Sequence, residues 1–459
     1  MEEVFVLSAV RTPIGRYGGG LASVPPCDLA AKVVREAVAR SGAEPGQVGH
    51  TVFGNVIHTE VRDMYLARVA ALNGGLEDGT PALTLNRLCG SGLQAIVSAS
   101  QSIMLGDCEV AVAGGAESMS RAPYWLPGLR WGQRMNDGIT VDPMVGALTD
   151  PFDACHMGVT AENVAADFGV SRADQDALAA ESHRRAAAAA AAGYLTGQIL
   201  PVEVPGKKGA TIIDTDEHVR PGVSLDDMSR LRPAFAPDGT VTAGNASGLN
   251  DAAAAVVLAS GSFVASSGLT PIGKLAGYAH AGVEPRIMGM GPVPATRTVL
   301  DRTGLKVDEI DVFEVNEAFA AQALAVAREL DLPPERTNPN GSGISLGHPI
   351  GATGAILAVK SLYELKRTGG RYALATMCIG GGQGIAAIFE RVLSRAGRSA
   401  RRGTAGPGHV KLRLHLRGPR RRQAAADLHP DGRRLERLGK DRCARDRRDE
   451  AERVPRRSA

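Results

Sequence analysis

Aromatic residues make up only 4% of this chain, and tryptophan occurs twice. A core built on large stacked rings is therefore excluded, and small aliphatic side chains must fill it. Paired cysteines are missing too. Cys27, Cys89, Cys108, Cys155, Cys378 and Cys443 form no C-x-x-C pair, and their spacing suits neither a zinc site nor a disulfide framework. Glycine or charge interrupts every apolar run before the roughly 18–20 residues that a bilayer span requires, so no membrane span is expected. Met1-Glu2-Glu3-Val4-Phe5-Val6-Leu7 has no basic stretch leading into an apolar one. That predicts no signal peptide and a cytoplasmic location. No G-x-G-x-x-G turn follows a strand in the context of a dinucleotide site, and no motif implies a metal.

What is present points to an α/β protein. Hydrophobic residues reach 44%, glycine numbers 56, and 459 residues allow two or three domains with a large core. The formal net charge of +3 hides a division. Residues 394–459 carry 21 Lys or Arg against 8 Asp or Glu, which leaves 31 basic and 41 acidic residues in 1–393. The acidic body and the basic tail are different materials. The tail, without aromatics or a sustained apolar period, reads as a disordered extension rather than a nucleic-acid arm. Cys27, Cys108 and Cys155 read as small buried hydrophobes, and Cys443 receives no role.

Along 1–393, short β-branched runs alternate with Ala-rich helical stretches. Val4–Val10 reads as a strand, Asp28–Ser41 as an amphipathic helix, Leu93–Leu105 as a buried helix and Val110–Gly114 as a strand. A second series follows Pro271, with strands at Ile272–Ala279 and Ile310–Val315 and helices over Val293–Arg302 and from Glu317. Cys89-Gly-Ser-Gly, a helix and Val110-Ala-Val-Ala-Gly-Gly parallel His348-Pro-Ile-Gly, a helix and Ala373-Leu-Ala-Thr-Met-Cys-Ile-Gly-Gly. This repeat predicts two similar mixed-sheet halves about a pseudo-dyad, with the site between them. Residues 1–118 with 251–270 and residues 271–393 form the halves, and 119–250 is a large loop insertion in the first.

Cys89 and Cys378 each stand in a glycine-rich turn, as does His348 in Gly347-His348-Pro349-Ile350-Gly351. Thiolate is the reactive form of cysteine, and a helix N-terminus or an imidazole promotes it. Cys89, just before a helix, is expected to be partly ionised, with His348 accepting the remaining proton. Glycine turns bring the backbone close to a substrate and leave N–H groups free for a developing oxyanion. Two thiols and an imidazole in such turns suggest covalent acyl chemistry.

The order of these turns resembles the thiolase family, on its biosynthetic side. The resemblance is carried by Arg11-Thr-Pro-Ile-Gly15, Asn86-Arg-Leu-Cys89-Gly-Ser-Gly92, Gly114-Gly-Ala-Glu-Ser-Met-Ser120 and His156-Met-Gly158. It continues through Asn245-Ala-Ser-Gly-Leu-Asn-Asp251, Asn316-Glu-Ala-Phe-Ala320, Gly347-His-Pro-Ile-Gly351 and Cys378-Ile-Gly-Gly-Gly382. It covers essentially all of 1–393 and none of the tail. Pro339 and Ser342 depart from the commoner biosynthetic pattern and resemble β-ketothiolases that take acyl groups longer than acetyl.

The resemblance implies reversible thiolysis and Claisen condensation of 3-ketoacyl-CoA, with acetoacetyl-CoA and CoA giving two acetyl-CoA. CoA, acetyl-CoA and acyl-CoA are substrates, and no cofactor is implied. Cys89 would carry the acyl group and Cys378 would move the α-proton. His348 with a water on Asn316 would form one oxyanion hole, and the N–H groups of Cys89 and Gly380 the other. Asn316 also reads as a cap for the helix from Glu317. His156 and Met157 would line the pantetheine pocket, Ser247 would contact the pantetheine amide, and Ala243 and Gly244 share its loop. Leu148, Phe235, Met288, Ala318 and Phe319 are wall candidates, each also readable as core. Arg220 would reach the adenine or a phosphate of CoA, or stand solvated.

Tyr124, Trp125, Leu126, Leu129 and Trp131 fall where similar thiolases carry a tetramer-forming loop, which implies a dimer of dimers; packing within one subunit is the other reading. Competing functions are a degradative broad-chain thiolase, a non-catalytic acyl-CoA or lipid carrier and a decarboxylating ketoacyl synthase. The pathway stays open among polyester storage, ketone metabolism and fatty-acid breakdown.

Overall fold

The computed structural model describes residues 2–207 and 209–392, so the expectations for the basic tail and Cys443 lie outside the described residues. Twelve strands occur among them. They are β1 (Val4–Arg11), β2 (Gly15–Arg16), β3 (His50–Gly54), β4 (Ala82–Leu85), β5 (Val110–Ser118) and β6 (Val202–Val204). The others are β7 (Thr211–Ile213), β8 (Asn250–Ser260), β9 (Gly273–Gly282), β10 (Val312–Val315), β11 (Tyr372–Ile379) and β12 (Gln383–Glu390). β5 and β8 are buried along their whole length, and the central strands are rich in Ala, Val and Ile. Strands covered on both faces need such continuous apolar runs, because neither face meets water.

One large sheet runs β10-β11-β12-β9-β1-β8-β5-β3-β4, and β2 pairs with β8. The same order occurs twice within it. β3-β5-β8-β1 and β10-β11-β12-β9 each begin with a parallel pair and continue with two antiparallel pairs. The two runs join where β1 meets β9, antiparallel through Phe5↔Lys274 and Val6↔Gly273. The sequence repeat is therefore a repeat of topology.

Alternation along the strands sorts the core into layers. Ala252, Ala254, Val256 and Leu258 of β8 face one core with Ile385, Ala387 and Phe389 of β12. The helices Ser91–Leu105 and Thr353–Thr368 supply the middle of that core. The opposite face of β8, through Ala253, Ala255 and Val257, packs on helix Pro26–Ser41. The opposite face of β12, through Ala386 and Ile388, packs on Pro292–Thr303 and Ala320–Glu329. Five layers result, with the two central helices innermost. Residues 88–105 are also apolar enough over 18 residues to meet the length and composition of a membrane span, contrary to the sequence reading. This stretch is the buried central helix with the turn before it.

The two central helices touch through glycine. A Cβ on Gly92 would lie 2.6 Å from the backbone nitrogen of Ala355, and one on Gly354 would overlap the backbone of Leu93. No rotamer change relieves a clash with backbone. Gly354→Ala is expected to cost about 1–3 kcal/mol in denaturant unfolding, the usual scale for overpacking. It should also lower turnover, because both reactive turns begin these helices. An unchanged midpoint and rate would show that the contact tolerates a methyl group.

Candidate active site

Cys89 precedes helix Ser91–Leu105 by two residues, with Gly90 at the N-cap position. Ser91 folds the turn back on itself. Its hydroxyl donates to the Leu88 carbonyl at 2.7 Å and accepts from the Arg87 N–H at 2.8 Å. Leu88 is held at φ 46°, a conformation that few side chains adopt and that turns Cys89 toward the cavity floor.

His348 comes from the second half, in the loop ahead of helix Thr353–Thr368. Its backbone N–H donates to Asn250 Oδ1 at 2.9 Å, and Asn250 Nδ2 donates to the Gly15 carbonyl at 2.9 Å. Gly351 donates its N–H to Glu117 Oε2 at 2.9 Å, and Ile344, just upstream, donates to Glu317 at 3.4 Å. Buried side chains thus fix this loop on both sides. The imidazole orientation follows from Thr353. Its hydroxyl donates to the Pro349 carbonyl at 2.9 Å, so it accepts from His348 Nδ1–H across 2.7 Å. The lone pair is left on Nε2, the position a general base needs.

Asn316 follows β10 directly and is fully buried. Its Nδ2 stands 3.5 Å from His348 Nε2, while its Oδ1 has no donor among the described residues. A buried amide oxygen without a partner is suited to hold a water. The next helix begins at Ala320 with Phe319 at its N-cap, so Asn316 caps nothing. The sequence placed that helix too early because Asn-Glu-Ala-Phe-Ala has good helical composition, yet Asn316 still pairs with β11 through Thr376.

Cys378 lies near the end of β11, and Gly380 starts the turn into β12. Burial dominates the electrostatics. Desolvation raises the Cys89 thiol to about 11, although the N–H groups of Gly380 and of Cys89 itself pull it down. The helix N-terminus does not overcome burial, so Cys89 at rest is a thiol and not the partly ionised group expected from sequence. Cys378 is raised further by desolvation and then by the neighbouring Cys89. His348 is lowered to about 4 by burial, which keeps it neutral.

A cavity of about 420 Å³ collects these groups. Cys89, His348, Cys378 and Gly380 line its floor, and Asn316 reaches it through His348. His156 caps helix Met157–Asp167, accepting the Gly158 N–H on Nδ1 at 3.0 Å, which places its proton on Nε2. Its ring stacks on Phe235 at 4.7 Å, and Phe235 meets Phe319 edge-on at 6.1 Å. Leu148, Met157, Met288 and Ala318 complete the apolar wall, while Ala243, Ser247 and Arg220 lie toward its polar side.

Gly244 is not among the residues lining the cavity, although Ala243 and Ser247 of the same loop are. A Cβ there would meet the side-chain ends of Met228 and Leu231. Pro339 and Ser342 do not line it either; Ser342 donates to the Val315 carbonyl beneath β10. Residues missed from sequence include His218, Met119, Met144 and Ile350. His218, two positions before Arg220, gave the one available signal.

A thiol on a glycine turn, an imidazole with its lone pair on Nε2, a second thiol and nearby N–H groups line one cavity, an arrangement suited to acyl transfer through a thioester. The chain belongs to the thiolase family. Residues 4–262 match the thiolase N-terminal domain and residues 269–391 the thiolase C-terminal domain. It is 64% identical over 392 residues to the beta-ketothiolase BktB of Cupriavidus necator, which covers 85% of this chain and 100% of that protein. It is 49% identical to the acetyl-CoA acetyltransferase of Chromobacterium violaceum, again over 85% of this chain and 100% of that one. The Bacillus anthracis acetyl-CoA acetyltransferase structure superimposes with a TM-score of 0.84 at 45% identity, covering 85% of this chain and 99% of the other. Human mitochondrial 3-ketoacyl-CoA thiolase gives 0.84 at 44% identity with the same coverage.

These electrostatics set a pH profile. With the Cys89 pKa raised to about 11, its thiolate fraction grows about tenfold per pH unit through the neutral and mildly alkaline range. Alkylation of Cys89 by iodoacetamide, followed by peptide mass spectrometry, should therefore climb steadily from pH 7 to 10. A plateau beginning near pH 8 would mean that the thiol is already ionised there.

Proposed function

We propose that this chain is an acetyl-CoA C-acetyltransferase of the β-ketothiolase type, interconverting acetoacetyl-CoA plus CoA with two acetyl-CoA. The observation that carries this reading is the meeting of Cys89, His348, Cys378 and Gly380 around one apolar cavity. In the cleaving direction, His348 Nε2 takes the Cys89 proton and the thiolate attacks the 3-keto carbon. The N–H groups of Cys89 and Gly380 receive the oxyanion. The C2–C3 bond then breaks, leaving acetyl on Cys89 and an enolate of acetyl-CoA. Cys378 protonates that enolate, whose oxygen rests on the newly formed His348 Nε2–H and a water on Asn316. CoA then takes the acetyl group. Its thiol proton passes to Cys378, and the His348 proton returns to Cys89 as the thioester breaks.

His156 Nε2–H and Ser247 meet the pantetheine arm, with Ala243 beside them. The wall of Leu148, Met157, Phe235, Met288, Ala318 and Phe319 excludes water. Arg220 faces the phosphate-bearing end. CoA enters as substrate, and no metal or resident cofactor takes part. We assign 1–118 with 251–270 and 271–393 to the two halves, 119–250 to the insertion, and the chain to the cytoplasm. A second thiol beside the nucleophile favours this chemistry over decarboxylating condensation, which has no use for one.

Cys378→Ser separates the two half-reactions. It should slow thiolysis of acetoacetyl-CoA by about 10²-fold or more, the scale of general acid–base catalysis. Exchange of label between CoA and acetyl-CoA through acetyl-Cys89 should persist. Equal loss of both activities would remove the assigned role, and an acetyl adduct on Cys378 alone would reverse the two thiols.

We also propose a homotetramer built as a dimer of dimers. Tyr124, Trp125, Leu129 and Trp131 are exposed, Trp131 at 88%, so packing within one subunit does not account for them. An apolar patch of this kind is a common mark of association. Trp125→Asp with Leu129→Asp should sediment as a dimer with thiolysis retained. A wild-type chain that is monomeric at micromolar concentration overturns this assignment.

A further inference from the structure

We propose that Arg11 is a positioning residue for recognition of the nucleotide end of CoA, acting through Asp216 on the segment that carries Arg220. The proposal rests on the reading of the cavity as a CoA site. Arg11 ends β1, far along the chain from any reacting group, and is completely buried. Its guanidinium grips Asp216 through two bonds of 2.7 and 2.9 Å, and its Nε donates to Gln198 at 2.8 Å. Desolvating such a pair is costly, and well-packed apolar groups often serve stability as well. What a bidentate fork adds is a fixed plane and distance.

That fixed geometry is passed along a short strap. Asp216 also accepts the Ile14 N–H at 2.8 Å, and Glu217 returns its own N–H to the Ile14 carbonyl at 3.0 Å. The Glu217 carboxylate accepts N–H groups from Gly20 and Arg16 at 3.0 and 3.1 Å. At the other end, Arg220 donates its backbone N–H to His183 Nδ1 at 3.1 Å, with His183 buried on helix Arg172–Ala191. Only His218 and Val219 lie between these anchors. The His218 imidazole fills the space a Cβ on Gly248 would need, which wedges the strap against the Ser247 loop.

The strap delivers one cation. Arg220 is the single Lys or Arg lining the cavity, and its guanidinium is in no ion pair among the described residues. CoA carries several phosphate charges, while residues 1–393 hold 41 acidic against 31 basic side chains. An acidic body binds a polyanion only where a cation is held in place against the general field.

The test uses Arg11→Lys, which keeps the charge and loses the fork, and Asp216→Asn, which keeps the shape and loses the charge. In thiolysis of acetoacetyl-CoA, each should raise KM for CoA about tenfold, with kcat at saturating CoA within about twofold of wild type. With pantetheine as the thiol, which lacks the nucleotide, kcat/KM should stay at the wild-type value. Arg220→Ala should show the same split, and adding Arg11→Lys to it should change little, since both act on one contact. Equal losses with CoA and pantetheine, or a lowered Tm with an unchanged KM for CoA, would overturn the proposal and leave Arg11 as a fold anchor. A wild-type enzyme that uses pantetheine as well as CoA would instead overturn the underlying reading of Arg220, and the proposal with it.

Discussion

The structure depends on one close approach, that of two buried helices, one preceded by the Cys89 turn and the other by the His348 loop. Ser91–Leu105 and Thr353–Thr368 cross where Gly92 and Gly354 remove any side chain between their backbones. Everything outward from that contact serves to keep it. The two repeated sheet halves cover the pair on opposite sides, and the outer helices cover the sheets. Bulky residues at the crossing would push the Cys89 turn of the first half away from the His348 loop of the second. Glycine therefore sets how closely the two helices approach.

A second requirement is polar. Placing His348 in a dry core exposes its loop to the cost of unpaired N–H groups, and the neighbouring side chains meet that cost. Asn250 takes the His348 N–H, Glu117 the Gly351 N–H, and Glu317 the Ile344 N–H. Glu117 accepts from Val56, Ile57 and the Asn55 side chain as well, so it spans both halves of the molecule. Its burial raises its pKa to about 8, and its proximity adds to the rise at Cys89. The carboxyl that steadies the His348 loop also opposes ionisation of Cys89.

Much of this was legible from sequence. The repeat and the cysteine and histidine turns could be read because glycine, cysteine and histidine are informative at fixed spacing, whereas the wall candidates came only through the family resemblance. The start of the helix after Asn316 was not, because local composition cannot report that the chain first finishes pairing with β11. The ionisation of Cys89 was misjudged for a related reason. A helix N-terminus is visible in sequence, whereas the depth of burial that outweighs it belongs to tertiary structure. The Arg11–Asp216 pair, 205 residues apart, left no trace in local pattern.

Desolvation gives the site its working logic. Desolvation raises both thiols and lowers the imidazole, so each is pushed toward its neutral form. In such a site, charge is stabilised where N–H groups are aligned to receive it. The same low dielectric that suppresses the thiolate before binding strengthens those N–H contacts afterwards. The one Lys or Arg among the residues lining the cavity, Arg220, stands on the strap, away from Cys89, His348 and Cys378 in the chain. The neutral floor is therefore a consequence of burial.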